Sequence, residues 1–160
     1  MQDNIFHVKP WSPDVIKVAE GLIHKIHQFT PGLKVLFMGS AALGLPGKND
    51  IDLDVLCKWK DLVMYTEKLS VVLGAPKEIH KNLVAWEYML DGFEIDVILS
   101  DPLFSHVPEQ QKTFETLRDS PHLLTEYRLL KESCDGLPYK EYEKRKKDFL
   151  NSSVYTDSHS

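Results

Sequence analysis

Between Asp50 and Val55 the chain reads Asp-Ile-Asp-Leu-Asp-Val, acid and aliphatic in strict alternation. Successive side chains of a β-strand point to opposite faces. As a strand, this segment presents Asp50, Asp52 and Asp54 on one face and Ile51, Leu53 and Val55 on the other. A later segment repeats the device, with Phe93, Ile95, Val97 and Leu99 facing one way and Glu94 and Asp96 the other. Laid side by side, two such strands put carboxylates on a common surface. Each like-charge pair about 4 Å apart costs roughly 4 kcal/mol at an effective dielectric of about 20, so something positive belongs between them. Hard divalent cations prefer oxygen ligands, and magnesium takes one or two carboxylates while leaving water and phosphate oxygens to complete its octahedron. Acids on such a common surface are therefore candidates to hold a divalent metal at a nucleoside triphosphate site.

Just upstream, Gly39-Ser40 ends an apolar run, and Gly44 and Gly47 follow before Lys48. Glycines let backbone amides approach a phosphate closely, Ser40 adds a hydroxyl donor, and Lys48 can offset phosphate charge. Taken singly these signals are weak. An alternating acidic strand is usually a solvated edge, and a Gly-Ser pair is usually a turn with a local hydroxyl bond. The ordered combination with a third acid on a later strand is the specific feature. Asp50 shares the acidic face but reads first as turn chemistry. Glu87 falls opposite Asp96 if the Asp91-Gly92 turn has two-residue register, which makes it a supporting carboxylate or general base. Arg118, Arg128 and Lys131 are candidates for phosphate or acceptor contacts, each more often a solvated helix charge. Trp86 and Tyr88 read as hairpin packing, and the seven histidines show no compact ligand spacing.

The elements that must position these groups follow from periodicity and punctuation. Ser12-Pro13-Asp14 opens a helix to Phe29, with Ser12 as cap and Val15, Val18, Ala19, Leu22, Ile23 and Ile26 as its inner face. Strands are expected at Lys34 to Met38 and Ile51 to Cys57, then a helix from Lys60 to Leu73 closed by Gly74 and Pro76. Leu83 to Leu90 and Phe93 to Leu99, joined by Asp91-Gly92, read as an antiparallel hairpin with a type I′ turn. From about residue 108 the signals are helical, with Ser120-Pro121 opening one segment to Ser133 and a charged one running from Tyr139 to Leu150. Fraying is expected over 151–160. The architecture is α+β: a small mixed sheet with helices packed on one face and a helical C-terminal part.

Gly39-Ser40, then Asp52-x-Asp54 after a short loop, then Asp96 on a later strand, resembles the DNA polymerase beta-type nucleotidyltransferase superfamily. That resemblance implies the nucleotidyltransferase fold and two magnesium ions, with manganese as an alternative, held by Asp52, Asp54 and Asp96. It further implies transfer of a nucleoside monophosphate from a triphosphate, ATP foremost, to a hydroxyl-bearing acceptor with release of pyrophosphate. Gly39, Ser40 and Lys48 would contact the nucleotide. Within the superfamily, the stretch from Gly39 through Lys48 followed by Ile51-Asp52-Leu53-Asp54-Val55 is similar to the GrpB family's signature, with a spacing about one residue shorter. Phe114, Leu117, Arg118, Pro121, Tyr127, Leu130 and Lys131, then Tyr142, Lys146 and Phe149, extend the likeness through the tail. The chain departs from GrpB at Glu94-Ile95-Asp96-Val97, where that family often carries a histidine-bearing pattern; Asp96 matches the catalytically complete superfamily instead.

Bulk properties bound these readings. The chain's 160 residues suit one domain, 1–160, and 42% apolar with 27% charged residues is the balance of an ordinary globular protein. A net charge of -5 gives no global pull toward nucleic acid, so a small-molecule acceptor is favoured over an RNA end or a protein side chain. Cys57 and Cys134 are too isolated for a disulfide scaffold and read as reduced thiols. With no apolar stretch near Met1 and no membrane-length run, the cytoplasm is the expected compartment and no membrane partner is expected. The competing function is a catalytically weak nucleotide- or metal-binding regulatory module of the same fold.

Overall fold

A computed structural model describes residues 4–155 of the chain. Helix α1, Asp14–Phe29, leads into strand β1, Lys34–Met38, a one-turn helix α2, Gly39–Ala42, and strand β2, Ile51–Leu56. A 3₁₀ turn at Trp59–Asp61 precedes α3, Leu62–Leu73. A short β3, Glu78–Ile79, then β4, Leu83–Leu90, and β5, Phe93–Ser100, complete the strands. Helices α4, Val107–Arg118, α5, Pro121–Ser133, and α6, Tyr139–Phe149, form the C-terminal part. The fold is thus α+β around one five-stranded mixed sheet in the order β1-β2-β5-β4-β3.

The hairpin follows from its turn. Asp91 and Gly92 both have positive φ, at 52° and 85°, the backbone that a type I′ turn requires and that asparagine, aspartate and glycine tolerate best. Leu90 pairs with Phe93, and counting back along the ladder puts Glu87 opposite Asp96 as expected. The central pair, β2 with β5, is parallel and sets Asp52 directly beside Asp96. Alternation does the rest: Ile51, Leu53, Val55, Ile95, Val97 and Leu99 are buried against α1 and α3 in the main core. Trp86 joins them, its Nε1 donating to the Gly74 carbonyl at 2.9 Å. Cys57 and Cys134 are buried free thiols.

The structure corrects several local expectations. Ser12 does not cap α1 with its side chain; its N–H donates to Asn49 Oδ1 at 3.2 Å while its carbonyl takes the Val15 N–H. The helix is held at that end by tertiary contact. Ser120 does cap α5, its Oγ accepting from the Leu123 N–H at 3.2 Å. Residues of α4, α5 and α6 line a cleft over the acidic face of the sheet, in which Asp54 is buried while Asp52 and Asp96 stay partly exposed. Where fraying was expected from 151, Leu150–Val154 continue α6 as a wide π-type turn that buries Val154; residues 156–160 lie outside those described. Among the described residues, no helix is long and apolar enough to cross a membrane.

An N-terminal segment ties the two halves together. Phe6 N–H donates to the Leu137 carbonyl and accepts, through its own carbonyl, from Gly136 N–H, both at 2.8 Å. Lys9 and Gly47 exchange backbone hydrogen bonds. The Phe6 ring stacks on Tyr142 with centroids 3.8 Å apart, in a small core that includes Cys134.

Candidate functional site

The acids occupy neighbouring positions on the two central strands. Asp52 and Asp96 are register partners on adjacent parallel strands, and both groups titrate high. Asp52 is pushed up to about 7 by burial and then by Asp96, Asp50 and Asp54; Asp96 is raised by burial, Glu94 and Glu87. Burial alone lifts Asp54 to about 6, and burial with the Glu94 charge lifts Asp50 to about 6. Such a surface holds its negative charge at a cost that a bound cation would remove.

Gly39 sits at the junction of β1 and α2 with φ at 84°, a left-handed conformation in which side chains are strained. Its missing Cβ matters as much: an atom there would collide with Asp52 Oδ2. The backbone of the Gly39-Ser40 turn therefore lies directly against the acid. Ser40 and Tyr127 of α5 line the same cleft, so α5 closes over the turn.

A cleft of about 580 Å³ opens above these groups, lined by Gly39, Ser40, Asp52, Asp54 and Asp96 below and by α4, Tyr127 and Lys146 above. A smaller cavity of about 150 Å³ shares Gly39, Ser40, Asp52 and Lys146 with it. Lys48 lines only the smaller one, its ammonium 4.3 Å from the centre of the Tyr139 ring. A larger hollow of about 710 Å³ lies beyond the far ends of β2 and β5. Its buried carboxylate, Asp101, is engaged by the backbone N–H groups of Trp59 and Leu103, so that hollow lacks the charge frustration of the acidic cleft.

Of the six expected site residues, Gly39, Ser40, Asp52, Asp54 and Asp96 meet in one cleft, and Lys48 is displaced to the adjoining cavity. Asp54 lies farther along β2, opposite Ile98 rather than opposite Asp96. Among the described residues, the group of acids whose ligand oxygens all lie within 4.8 Å of one another is Glu87, Glu94 and Asp96. Glu94 was legible from the alternation of β5 but its proximity to Glu87 depended on the hairpin register. Glu87 is also held by Lys77 Nζ at 2.7 Å, an exposed pair.

The cationic candidates divide. Arg118 is exposed and bonded to its neighbour Asp119, and Arg128 is exposed on α5. Lys131 is only 4% exposed, its ammonium donating to Tyr142 Oη at 2.9 Å and lying within about 5 to 6 Å of the Tyr127, Tyr142 and Phe6 rings. Burial, with Lys146 and Lys48 nearby, holds that ammonium below its ordinary range against the opposing pull of Tyr127 and Asp50. Lys146, which charge patterning places on a solvated helix, reaches both cavities from α6.

No protein-family model matches the chain, and no curated protein matches it by sequence. Solved structures do overlap it in part. One is of Cid1, described by its RNA terminal uridylyl transferase activity, at 15% identity and a TM-score of 0.49 over 69% of this chain and 37% of that one. Another is of the Cid1 poly(U) polymerase with MgGTP bound, at 17% identity and a TM-score of 0.48 over 69% of this chain and 38% of that one. The chain therefore spans well under half the length of the structures it overlaps.

Proposed function

We propose that this protein is a metal-dependent nucleotidyltransferase of the DNA polymerase beta-type superfamily, GrpB-like in its loop and tail, acting as a single unit over 1–160 in the cytoplasm. The observation that carries the reading is the register of β2 against β5, which sets Asp52 next to Asp96 beside a glycine turn that admits no side chain. The donors are all hard oxygens, and the raising influences of burial and neighbouring acids on Asp52 outrank the offset from Lys146, so the residues fit divalent magnesium or manganese.

Asp52, Asp54 and Asp96 would hold two such ions, with Glu94 and Glu87 alongside Asp96. When bound, the ions supply positive charge to the attacking and departing oxygens of an in-line displacement. The protein's own work is positioning. Gly39 and Ser40 bring backbone and hydroxyl to the triphosphate, and Asp96 accepts the acceptor hydroxyl's proton. The acceptor oxygen bonds to the α-phosphorus, the bond from that phosphorus to the bridging oxygen breaks, and pyrophosphate leaves. ATP is the favoured donor, and a small-molecule hydroxyl is favoured over an RNA end or a protein side chain.

The test mixes purified protein with magnesium or manganese, each labelled nucleoside triphosphate and pooled small-molecule, RNA and protein acceptors. Pyrophosphate release and label transfer that vanish in Asp96→Asn support the enzyme. Metal-dependent nucleotide binding without release moves the protein to the second reading, a nucleotide- or metal-binding module without turnover, which the separation of Asp54 from the Glu87–Glu94–Asp96 group favours.

A further inference from the structure

We propose that the hollow of about 710 Å³ beyond the far ends of β2 and β5 is a second ligand site, built for a small amphipathic organic anion with a flat apolar body and one carboxylate. It stands apart from the acids and does not depend on the nucleotidyltransferase reading. Its volume falls within the roughly 300 to 1,000 Å³ of pockets that enclose small molecules. Leu33, the 3₁₀ turn Trp59–Asp61 after β2, Tyr65 of α3 and a second 3₁₀ turn, Pro102–Phe104, after β5 supply its walls.

One buried carboxylate clamps the two turns together. Asp101, 4% exposed, accepts from the Trp59 N–H through Oδ2 at 2.9 Å and from the Leu103 N–H through Oδ1 at 2.8 Å. The Cys57 N–H, just ahead of the first turn, donates to the Ser100 carbonyl at 3.0 Å and extends the strand pairing to the edge of the hollow. On this fixed frame Trp59, Leu103 and Phe104 remain 53%, 84% and 54% exposed. Single exposed apolar side chains are ordinary, but three around one hollow make a patch of the kind that marks a binding site. Because the backbone beneath them is already pinned, little ordering has to be added when a ligand arrives.

Charge decides the ligand's polarity and its orientation. The charged side chains lining the hollow are Lys58, Lys60, Asp61 and Asp101. Asp101 is engaged by its two N–H donors, which leaves two exposed lysines, one on either side of Trp59 in the chain, against the half-buried Asp61. The mouth is therefore positive by about one charge. The buried end is the reverse. Burial first, then Asp101 and Asp61, push the Cys57 thiol up to about 11, so this end is uncharged and resists negative charge. An apolar body enters first, against Cys57 and the aromatic walls, and the carboxylate stays at the mouth with the lysines. One excess positive charge matches one carboxylate, whereas a nucleic-acid strand brings a phosphate with every nucleotide.

The experiment is equilibrium dialysis of the full chain at neutral pH and low salt against naphthoate and against its neutral counterpart, naphthalenemethanol. Wild type is compared with Trp59→Ala, Phe104→Ala and the double variant Lys58→Met/Lys60→Met, with melting curves as the folding control. One naphthoate per chain should bind saturably, about fivefold tighter than the alcohol. Trp59→Ala and Phe104→Ala should each weaken both probes by about tenfold. The double lysine variant should lose the preference for naphthoate and keep its affinity for the alcohol. Magnesium ATP should leave bound naphthoate in place, since the acidic cleft is a separate cavity. Absence of saturable binding, affinities unmoved by Trp59→Ala and Phe104→Ala, or displacement by magnesium ATP would overturn the site. Equal wild-type affinity for the two probes would overturn the anionic class. A short oligothymidylate that displaces naphthoate at lower concentration would reassign the hollow to single-stranded nucleic acid, and self-association that Trp59→Ala and Phe104→Ala abolish, read by sedimentation, would reassign it to a second copy of this chain; either result overturns the proposal.

Discussion

Asp52→Asn should make the metal-free protein more stable at neutral pH while removing its response to magnesium. In the folded chain this carboxyl titrates near 7 rather than at its ordinary 3.8, so the fold favours the protonated form. A group raised in this way contributes most below its unfolded value and loses that contribution as pH rises through the folded value. At pH 8, well above both, the ionised side chain carries the full penalty. At 1.36 kcal/mol per pH unit the displacement corresponds to a ceiling of about 4 kcal/mol. Asparagine keeps a polar group in the same place but still loses hydration there beside Asp96, so a net gain of about 2 kcal/mol is expected. For a chain of this size that is about 4 to 8 °C in melting temperature. The assay is thermal unfolding by circular dichroism at pH 5 and pH 8, each with EDTA and with magnesium. In EDTA the variant should melt higher at pH 8, and its advantage should fall by more than half at pH 5. Magnesium should raise the wild type and leave the variant nearly unmoved. A variant that melts below wild type at pH 8 in EDTA would show that the carboxylates are not in electrostatic conflict, and the case for a cation there would fall with it.

Gly39→Ala should cost about 1 to 3 kcal/mol from the left-handed backbone and the collision with Asp52, and should abolish activity, read by melting temperature and pyrophosphate release. Asp96→Asn should lower turnover by at least about a hundredfold, whereas Glu87→Gln, already tied to exposed Lys77, should lower it by less than about tenfold; steady-state rates at saturating magnesium separate the two. Trp86→Phe should cost about 1 kcal/mol by removing the bond to the Gly74 carbonyl, with no change in nucleotide KM, as measured by urea unfolding and initial rates.

Much of the site's frame was legible because it is local. The Asp91-Gly92 turn dictates register, and a period of two then assigns each residue of β4 and β5 to a face. The same alternation separates Asp52 from Leu53. What was hidden depends on distant partners. Lys131 looks like any helix charge until Tyr142, eleven residues on, and Phe6, from the opposite end of the chain, close around it. The covering of the acidic face by α4 to α6 is equally invisible, since periodicity shows that a helix has an inner face without showing which surface receives it. Equally hidden was the contact at the start of α1, where Asn49, from a loop far along the chain, accepts the Ser12 N–H.

The strap at the N-terminus also bears on the order in which the molecule assembles. The bond from Val8 N–H to Asp135 Oδ1 closes a span of 127 residues, among the slowest contacts to form because so much chain entropy must be lost first. The hairpin bearing Asp96 needs only its own turn and its neighbours. During synthesis the acids can therefore be in place while Phe6 still waits for α5 and α6 to emerge. The acidic strands can form early; the aromatic core that Phe6 makes with Tyr142 must wait for both ends of the chain.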